Sequence, residues 1–181
     1  IIKHGDVTLT AHRFHPKRSW KTALAINDGQ ATSEIIFPDE LKDFTKEDAR
    51  FFHHEGKLML TYVLAKAEPV SNVFRTVVGY GMLVQREGRW YLDKHIQPVF
   101  RNNDWSGVQK NWCPFEYDGK IHFIYANHFK EQIVIQVDGE KVTQEIKSPE
   151  SKWDYGEIRG GIIVPKGDKF LRFFHSRQGG D

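Results

Sequence analysis

Residues 47–63 have the sequence EDARFFHHEGKLMLTYV, and this one stretch predicts a β-hairpin. Gly56 lies in a short polar turn, and an apolar run flanks it on each side. A glycine supplies the positive φ that a tight hairpin turn requires. The stretch also places Asp48 and Arg50 directly before the first strand, so the next question is whether a charged residue recurs at that point.

The hairpin pattern occurs four times along the chain. The turn glycines Gly5, Gly56, Gly119 and Gly167 precede the apolar runs of HGDVTLTAHRF, EGKLMLTYVLA, DGKIHFIYANH and KGDKFLRFFHS. Their spacings of 51, 63 and 48 residues are close to the length of a propeller blade. A second hairpin follows in the first three units, with turns at Asp28-Gly29, Glu87-Gly88 and Asp138-Gly139.

Two hairpins form a four-stranded antiparallel sheet, which is the content of a propeller blade. The sequence therefore predicts an all-β protein, with residues 1–181 forming one β-propeller domain of about three and a half blades. We expect such a propeller to continue in a longer chain or to pair with another copy as a homo-oligomer. An all-β sandwich is the alternative fold. Residues 39–49 predict no more than a turn or two of helix.

Composition excludes several classes of partner and cofactor. The net charge of +2 does not favour nucleic acid or an anionic membrane, and no apolar run approaches the ~20 residues of a membrane span. The lone Cys113 excludes an intrachain disulfide and fits a reducing compartment such as the cytoplasm. The nine histidines show no metal-binding spacing, and phosphate-loop and dinucleotide motifs are absent, so no metal or cofactor is expected.

Cations recur near the start of the first strand in three units. Arg50, Lys110 (followed by Asn111) and Arg159 hold nearly matching points of the repeat. The innermost strands of a propeller line its channel, so these cations are expected to converge. Two like charges ~4 Å apart repel by about 1 to 4 kcal/mol, and a bound phosphate or carboxylate would relieve that repulsion. Asp48 is predicted to orient Arg50; the alternative is that each charge ends a strand in solvent.

Other residues extend this predicted site. His175 ends the strand that follows Arg159, where an anion-binding role and simple packing are equally open. Trp105, Trp153 and Tyr155 lie in loops rich in Asn, Asp and Ser, where flat rings beside polar groups are typical of sugar-stacking positions.

Three motifs resemble one known family. EDARFFHHEGKLMLTYV resembles the Glu-Asp-Pro-Arg blade motif of five-bladed β-propeller glycosidases, closest to the β-mannoside phosphorylase and hydrolase family. QKNWCPFEYDGKIHFIYA resembles that family's Lys-Asn motif, and GEIRGGIIVPKGDKFLRFFHS resembles its Gly-rich segment before a strand ending in His. The resemblance covers roughly residues 47–176. Ala49 replaces the motif's proline, and Arg159 with Ile162-Ile163 replaces a stretch rich in Gly and Pro.

The resemblance implies a function and assigns residues to it. The family cleaves β-mannosides with inversion, by phosphate or by water, and a single Asp serves as the general acid. Arg50, Lys110 and His175 match positions implied to bind phosphate, and Arg75 matches a further Arg of the second blade.

The resemblance leaves the general acid and the activity itself open. By order along the chain, Asp28 is the best candidate for the general acid, with Asp48 as a second carboxylate of the site. The implied ligands are an oligosaccharide and inorganic phosphate. The alternatives are a catalytically inactive carbohydrate-binding propeller and a protein-interaction propeller.

Overall fold

The protein is all-β in the computed structural model, which describes residues 1–16, 21–67, 74–125, 132–147, 157–167 and 169–177. Within these residues the strands, in chain order, are β1 (Ile2–His4), β2 (Val7–Phe14), β3 (Ala23–Asn27), β4 (Thr32–Ile36), β5 (Thr45–His54), β6 (Lys57–Ala67), β7 (Phe74–Arg86), β8 (Arg89–Leu92), β9 (Cys113–Tyr117), β10 (Lys120–Tyr125), β11 (Ile133–Asp138), β12 (Lys141–Lys147), β13 (Glu157–Lys166) and β14 (Lys169–Arg177).

Consecutive strands pair in antiparallel groups. β1–β4, β5–β8 and β9–β12 each form a four-stranded group, and β13 pairs with β14. The hairpins predicted from the sequence are therefore confirmed. β4 and β8 pair in parallel, with Ile35 opposite Trp90, and this joins the first two groups into one eight-stranded sheet. The sheet is nearly closed, like a barrel, because β2 also contacts β5 near its other edge.

The predicted turn glycines occupy two-residue hairpin turns. Glu55 and Gly56 connect β5 to β6 with φ values of 50° and 72°. Two positive φ values in succession give the backbone twist that matches right-handed strands. Gly5, Gly119 and Gly167 also have positive φ in the turns that join β1 to β2, β9 to β10 and β13 to β14. The local repeat is thus built as the sequence predicts.

The segment predicted to form no more than a turn or two of helix contains one short turn. A single 3₁₀ turn covers Asp39–Leu41, and β5 already begins at Thr45. The backbone N–H of Lys46 donates to the Thr22 carbonyl at 3.1 Å, so this segment continues in an extended conformation. Tertiary pairing therefore overrides the local helix preference.

The two faces of β6 are buried against different neighbours. Leu60 and Tyr62 belong to a core cluster shared with β2, β3 and β4 of the first group. Met59 and Val63 belong to a second cluster, which includes Phe123 of β10. Alternate strand residues point to opposite faces, so β6 separates two cores. This arrangement decides on which side of the sheet each candidate residue lies.

Candidate functional site

A pocket of about 320 Å³ is lined by Phe44, Lys66, Arg75 and Trp105, and we call it the Trp105 pocket. Phe44 precedes β5, and Trp105 lies in the loop that follows β8. Lys66 and Arg75 are directly opposite each other on β6 and β7. Arg75 and Trp105, both predicted as site residues, are thus brought to one pocket. Lys66 and Phe44 were not predicted.

Trp105 is held in this pocket by two contacts. Nη1 of Arg75 donates to the Trp105 carbonyl at 2.9 Å, and the indole stacks on Phe44 with ring centroids 5.0 Å apart. Trp105 has a φ of 70°, which is unusual for so bulky a residue and is typical of functional positions. The surroundings therefore fix an aromatic face next to a guanidinium group.

The loop that carries Trp105 is tied to β7 by a buried amide. Asn103 is only 1% exposed, and its Oδ1 accepts from the Val78 backbone N–H at 2.7 Å. Its Nδ2 donates to the carbonyls of Val78 and Pro98 at 3.0 and 2.8 Å. Further along the loop, the Gln109 N–H donates to the Thr76 carbonyl. The position of the Trp105 pocket thus depends on hydrogen bonds made outside it.

Arg50 lies at a different cavity, which we call the Arg50 cavity. This cavity of about 420 Å³ lies among β1, β5, β9, β13 and β14, and its wall is mostly apolar. Nη1 of Arg50 donates to the main-chain carbonyl of Asp48 at 3.0 Å. Asp48 therefore contacts Arg50 as predicted, but through its backbone and not through its carboxylate. Asp48 itself has a φ of 51° at a β-bulge in β5.

Cys113, next to the cavity residue Pro114, is influenced by two arginines. It is fully buried at the start of β9, and burial raises the pKa of its thiol. The charges of Arg172 and Arg50 act in the opposite direction on that pKa, which shows that both guanidinium groups lie near the sulfur. Arg172 was not predicted as a site residue. Arg172 lies on the same face of β14 as Phe170, and Phe170 packs on Phe115 of β9. This position is the signal that could have identified Arg172.

Arg50 and Arg75 lie on opposite faces of the β5–β8 sheet. Arg50 is opposite Thr61 on β6, whereas Arg75 is opposite Lys66. Thr61 and Lys66 are five positions apart in an uninterrupted strand, so their side chains point to opposite faces. Arg50 and Arg75, which are both predicted to bind substrate or phosphate, therefore do not face the same side of this sheet.

The predicted cations do not share one position of the strand ladder. Counted from the last residue of each strand, Arg159 holds the position of Glu47, and Ile162 holds that of Arg50. Lys110 precedes β9 at the point that corresponds to Glu47, and it is exposed. Only the backbone of Arg159 and His175 is described, and there the two are directly opposite each other.

Asp28, the predicted general acid, is engaged in a turn. Its carboxylate accepts from the backbone N–H groups of Gln30 and Ala31 at 2.9 and 2.8 Å, and these bonds lower its pKa. The β3–β4 turn also lies at the end of the sheet opposite the Lys66–Arg75 pair, as the parallel β4–β8 pairing shows. The geometry favours a turn-stabilising role. Asn111 has a φ of 66° just before β9, and Trp153 and Tyr155 lie outside the described residues.

In the part of the chain that the structure describes, no three His, Cys, Asp or Glu side chains are grouped to hold a metal ion. The same residues include no helix with the length and apolar character to span a bilayer. No protein-family model matches the sequence, and no curated protein is significantly similar to it.

Proposed function

We propose that this chain is part of a carbohydrate-active five-bladed β-propeller and that it binds β-mannosides or related oligosaccharides in the Trp105 pocket. The activity proposed for it is inverting cleavage of these ligands by phosphate or by water. Each four-stranded group is then a blade, and the β13–β14 hairpin is half of another.

The observation that carries the proposal is the pairing of an aromatic face with a cation. The indole of Trp105 is fixed against Phe44, and its carbonyl is held by Arg75. Ligand sites typically combine apolar and aromatic walls with a few fixed polar groups, in pockets of roughly 300 to 1,000 Å³. A pyranose can place its C–H face on the indole while its oxygens accept from Arg75 and Lys66.

One further observation favours the second candidate, a propeller that binds carbohydrate without cleaving it. Inverting hydrolysis needs a general acid and a general base on opposite sides of the glycosidic bond. Among the described residues that line the Trp105 pocket, none is acidic. Asp28, the candidate acid, is engaged by its own turn, and a lowered pKa makes it a weak candidate for proton donation at neutral pH.

The test measures binding and turnover with one ligand. β-1,4-Mannobiose is titrated into the protein by calorimetry, and the release of mannose or mannose 1-phosphate is then followed with and without inorganic phosphate. Turnover that requires phosphate supports a phosphorylase, turnover without it supports a hydrolase, and binding alone supports the second candidate. Trp105→Ala should reduce mannobiose affinity about tenfold, since aromatic contacts of this kind contribute roughly 1 to 2 kcal/mol.

The matched control for Trp105→Ala is Trp90→Phe, because Trp90 is buried opposite Gln85, ten residues along β7 from the Arg75 of the pocket. Mannobiose affinity should be unchanged in that variant. If neither mannobiose nor a longer manno-oligosaccharide binds at millimolar concentration, the proposal fails.

A further inference from the structure

We infer that His4 and His53 together bind a zinc ion where β1 meets β5, at a site separate from the Trp105 pocket. The ion would join the first four-stranded group to the second. This inference does not depend on the proposed carbohydrate function, because it concerns other residues and a different class of ligand.

Two strand ladders bring the imidazoles together. His4 is the last residue of β1 and is opposite Val7 of β2, beside the turn between these strands. His53 is opposite Leu58 of β6, one residue before the end of β5. The two histidines are 49 residues apart in the sequence, so no local metal-binding motif identifies them. Both rings are half-buried, which leaves them within reach of an ion from solvent.

The distance between the two rings matches a zinc site better than a hydrogen bond. Nδ1 of His4 is 3.3 Å from Nε2 of His53. Tetrahedral zinc binds imidazole nitrogen at about 2.0–2.1 Å, which places two bound nitrogens about 3.3–3.4 Å apart. A hydrogen bond between protein groups is typically ~2.9–3.0 Å long, so the direct contact is a weak one. The ring planes are inclined by only 22°, and a modest rotation of each about its Cβ–Cγ bond directs both nitrogens to one ion.

The surroundings favour a neutral imidazole and a bound cation. Burial, followed by the charge of His4, lowers the pKa of His53, so this ring is neutral at pH 7 and its nitrogen can bind a metal. Glu116 lines the same cavity as His53, and its charge favours positive charge at that ring. Oε2 of Glu116 accepts from the Glu55 backbone N–H and contacts Nδ1 of His54, which holds this carboxylate in place.

The type of ligand atom selects the kind of metal. Zn²⁺, Cu²⁺ and Ni²⁺ favour imidazole nitrogen, whereas Mg²⁺ and Ca²⁺ favour oxygen ligands. The described residues supply two imidazoles, so water takes the remaining coordination positions of the ion. Binding should therefore be weaker than at a structural zinc site with four protein ligands.

The experiment titrates Zn²⁺ and, separately, Mg²⁺ into the full chain by calorimetry at pH 7. We expect one zinc ion per chain and no binding of Mg²⁺ under the same conditions. His4→Gln and His53→Gln should each lower the zinc affinity at least about tenfold, since loss of even a supporting contact at a metal site has this effect. The double variant should bind zinc no more weakly than either single variant, because both imidazoles are needed for the site.

The matched control is His12→Gln. His12 also belongs to the first group, but it is exposed and its Nε2 is 2.8 Å from the Thr10 hydroxyl, so zinc affinity should be unchanged in this variant. In the unmodified protein, zinc should shift the imidazole NMR signals of His4 and His53 before those of other histidines, which tests the site without any substitution. Zinc should also raise the urea midpoint of the unmodified protein but of neither single variant, since a bound ion stabilises the folded state.

Several outcomes would overturn the inference. Equal zinc affinity in the unmodified protein and in both single variants would do so, and so would NMR shifts confined to other histidines. A double variant that binds zinc much more weakly than either single variant would show two separate sites instead of one. Mg²⁺ binding as tight as that of Zn²⁺ would contradict an imidazole site. None of these results bears on whether the Trp105 pocket binds mannobiose, so the two proposals can fail independently.

Discussion

Asn103 offers the sharpest test of how the candidate pocket is held in place. The substitution Asn103→Ala removes one acceptor and two donations from a side chain that is only 1% exposed. The partners left behind are the N–H and carbonyl of Val78 and the carbonyl of Pro98. These groups lie where β7 meets the loop that carries Trp105, so both stability and ligand binding should change.

The magnitude follows from these three contacts. A typical intramolecular hydrogen bond contributes a net ~1 kcal/mol, whereas a buried group left without a partner costs about 1 to 3 kcal/mol. Three bonds therefore predict a loss of about 3 to 5 kcal/mol in the free energy of unfolding. Against a total stability of roughly 5 to 15 kcal/mol for a typical domain, this is a large fraction.

Urea denaturation followed by tryptophan fluorescence measures the loss. The matched control is Asn102→Ala, the same substitution at the neighbouring exposed position, which should change stability by less than about 0.5 kcal/mol. Mannobiose affinity should also fall in Asn103→Ala, because the loop no longer fixes the indole of Trp105. If the two alanine variants are equally stable, the anchoring role of Asn103 is refuted.

Three further predictions concern other parts of the fold. Gly81→Ala should destabilise the protein by about 3 kcal/mol, because the added Cβ would lie 1.8 Å from the Lys94 carbonyl oxygen; a near-native urea midpoint would contradict this. Burial lowers the pKa of His95, whose Nδ1 is 2.6 Å from the Tyr62 hydroxyl. The free energy of unfolding should therefore be highest above about pH 6.5 and fall as the pH drops below it. His95→Gln should weaken this pH dependence. The thiol of Cys113 is fully buried, and burial raises its pKa. A disulfide reagent should therefore modify it at least about tenfold more slowly in the folded protein than in the urea-unfolded protein. Equal rates would contradict its burial.

The hairpins could be predicted from the sequence because their signals are local. A turn glycine between two apolar runs determines its own conformation, as Gly56 does between β5 and β6. Four-strand grouping followed because the second hairpins carry equally local turn motifs. The parallel pairing of β4 with β8 could not be predicted in this way, because Ile35 and Trp90 are far apart in sequence and no turn connects them.

The candidate site was less predictable, because it depends on long-range register. Arg75 and Trp105 were singled out for separate reasons, and only the path of the loop after β8 brings them together. Lys66 was missed because its partner on β7 is set by the register of two long strands. Phe44 was missed because it lies in a segment that was predicted to form only a turn or two of helix.

The predicted cluster of cations shows why repeat positions must be counted along the strand ladder. Gly56 is the second residue of its turn, whereas Gly167 is the first of its turn, so counting back from the glycine shifts the two units by one residue. β5 and β13 also each contain a bulge, between Glu47 and Arg50 and between Arg159 and Ile162. A bulge places two residues opposite one, so positions before and after it are matched only when the extra residue is counted.

Corrected for both effects, the position of Arg50 is held by Cys113 in β9 and by Ile162 in β13. Neither β9 nor β13, each the first strand of its group, therefore places a second cation at the position of Arg50. A cation reaches it instead from β14, where Arg172 lies on the face that packs against β9 and acts on the Cys113 thiol together with Arg50. The second arginine that acts on this thiol thus comes from the second strand of its hairpin, because strand parity decides which side chains face the neighbouring group.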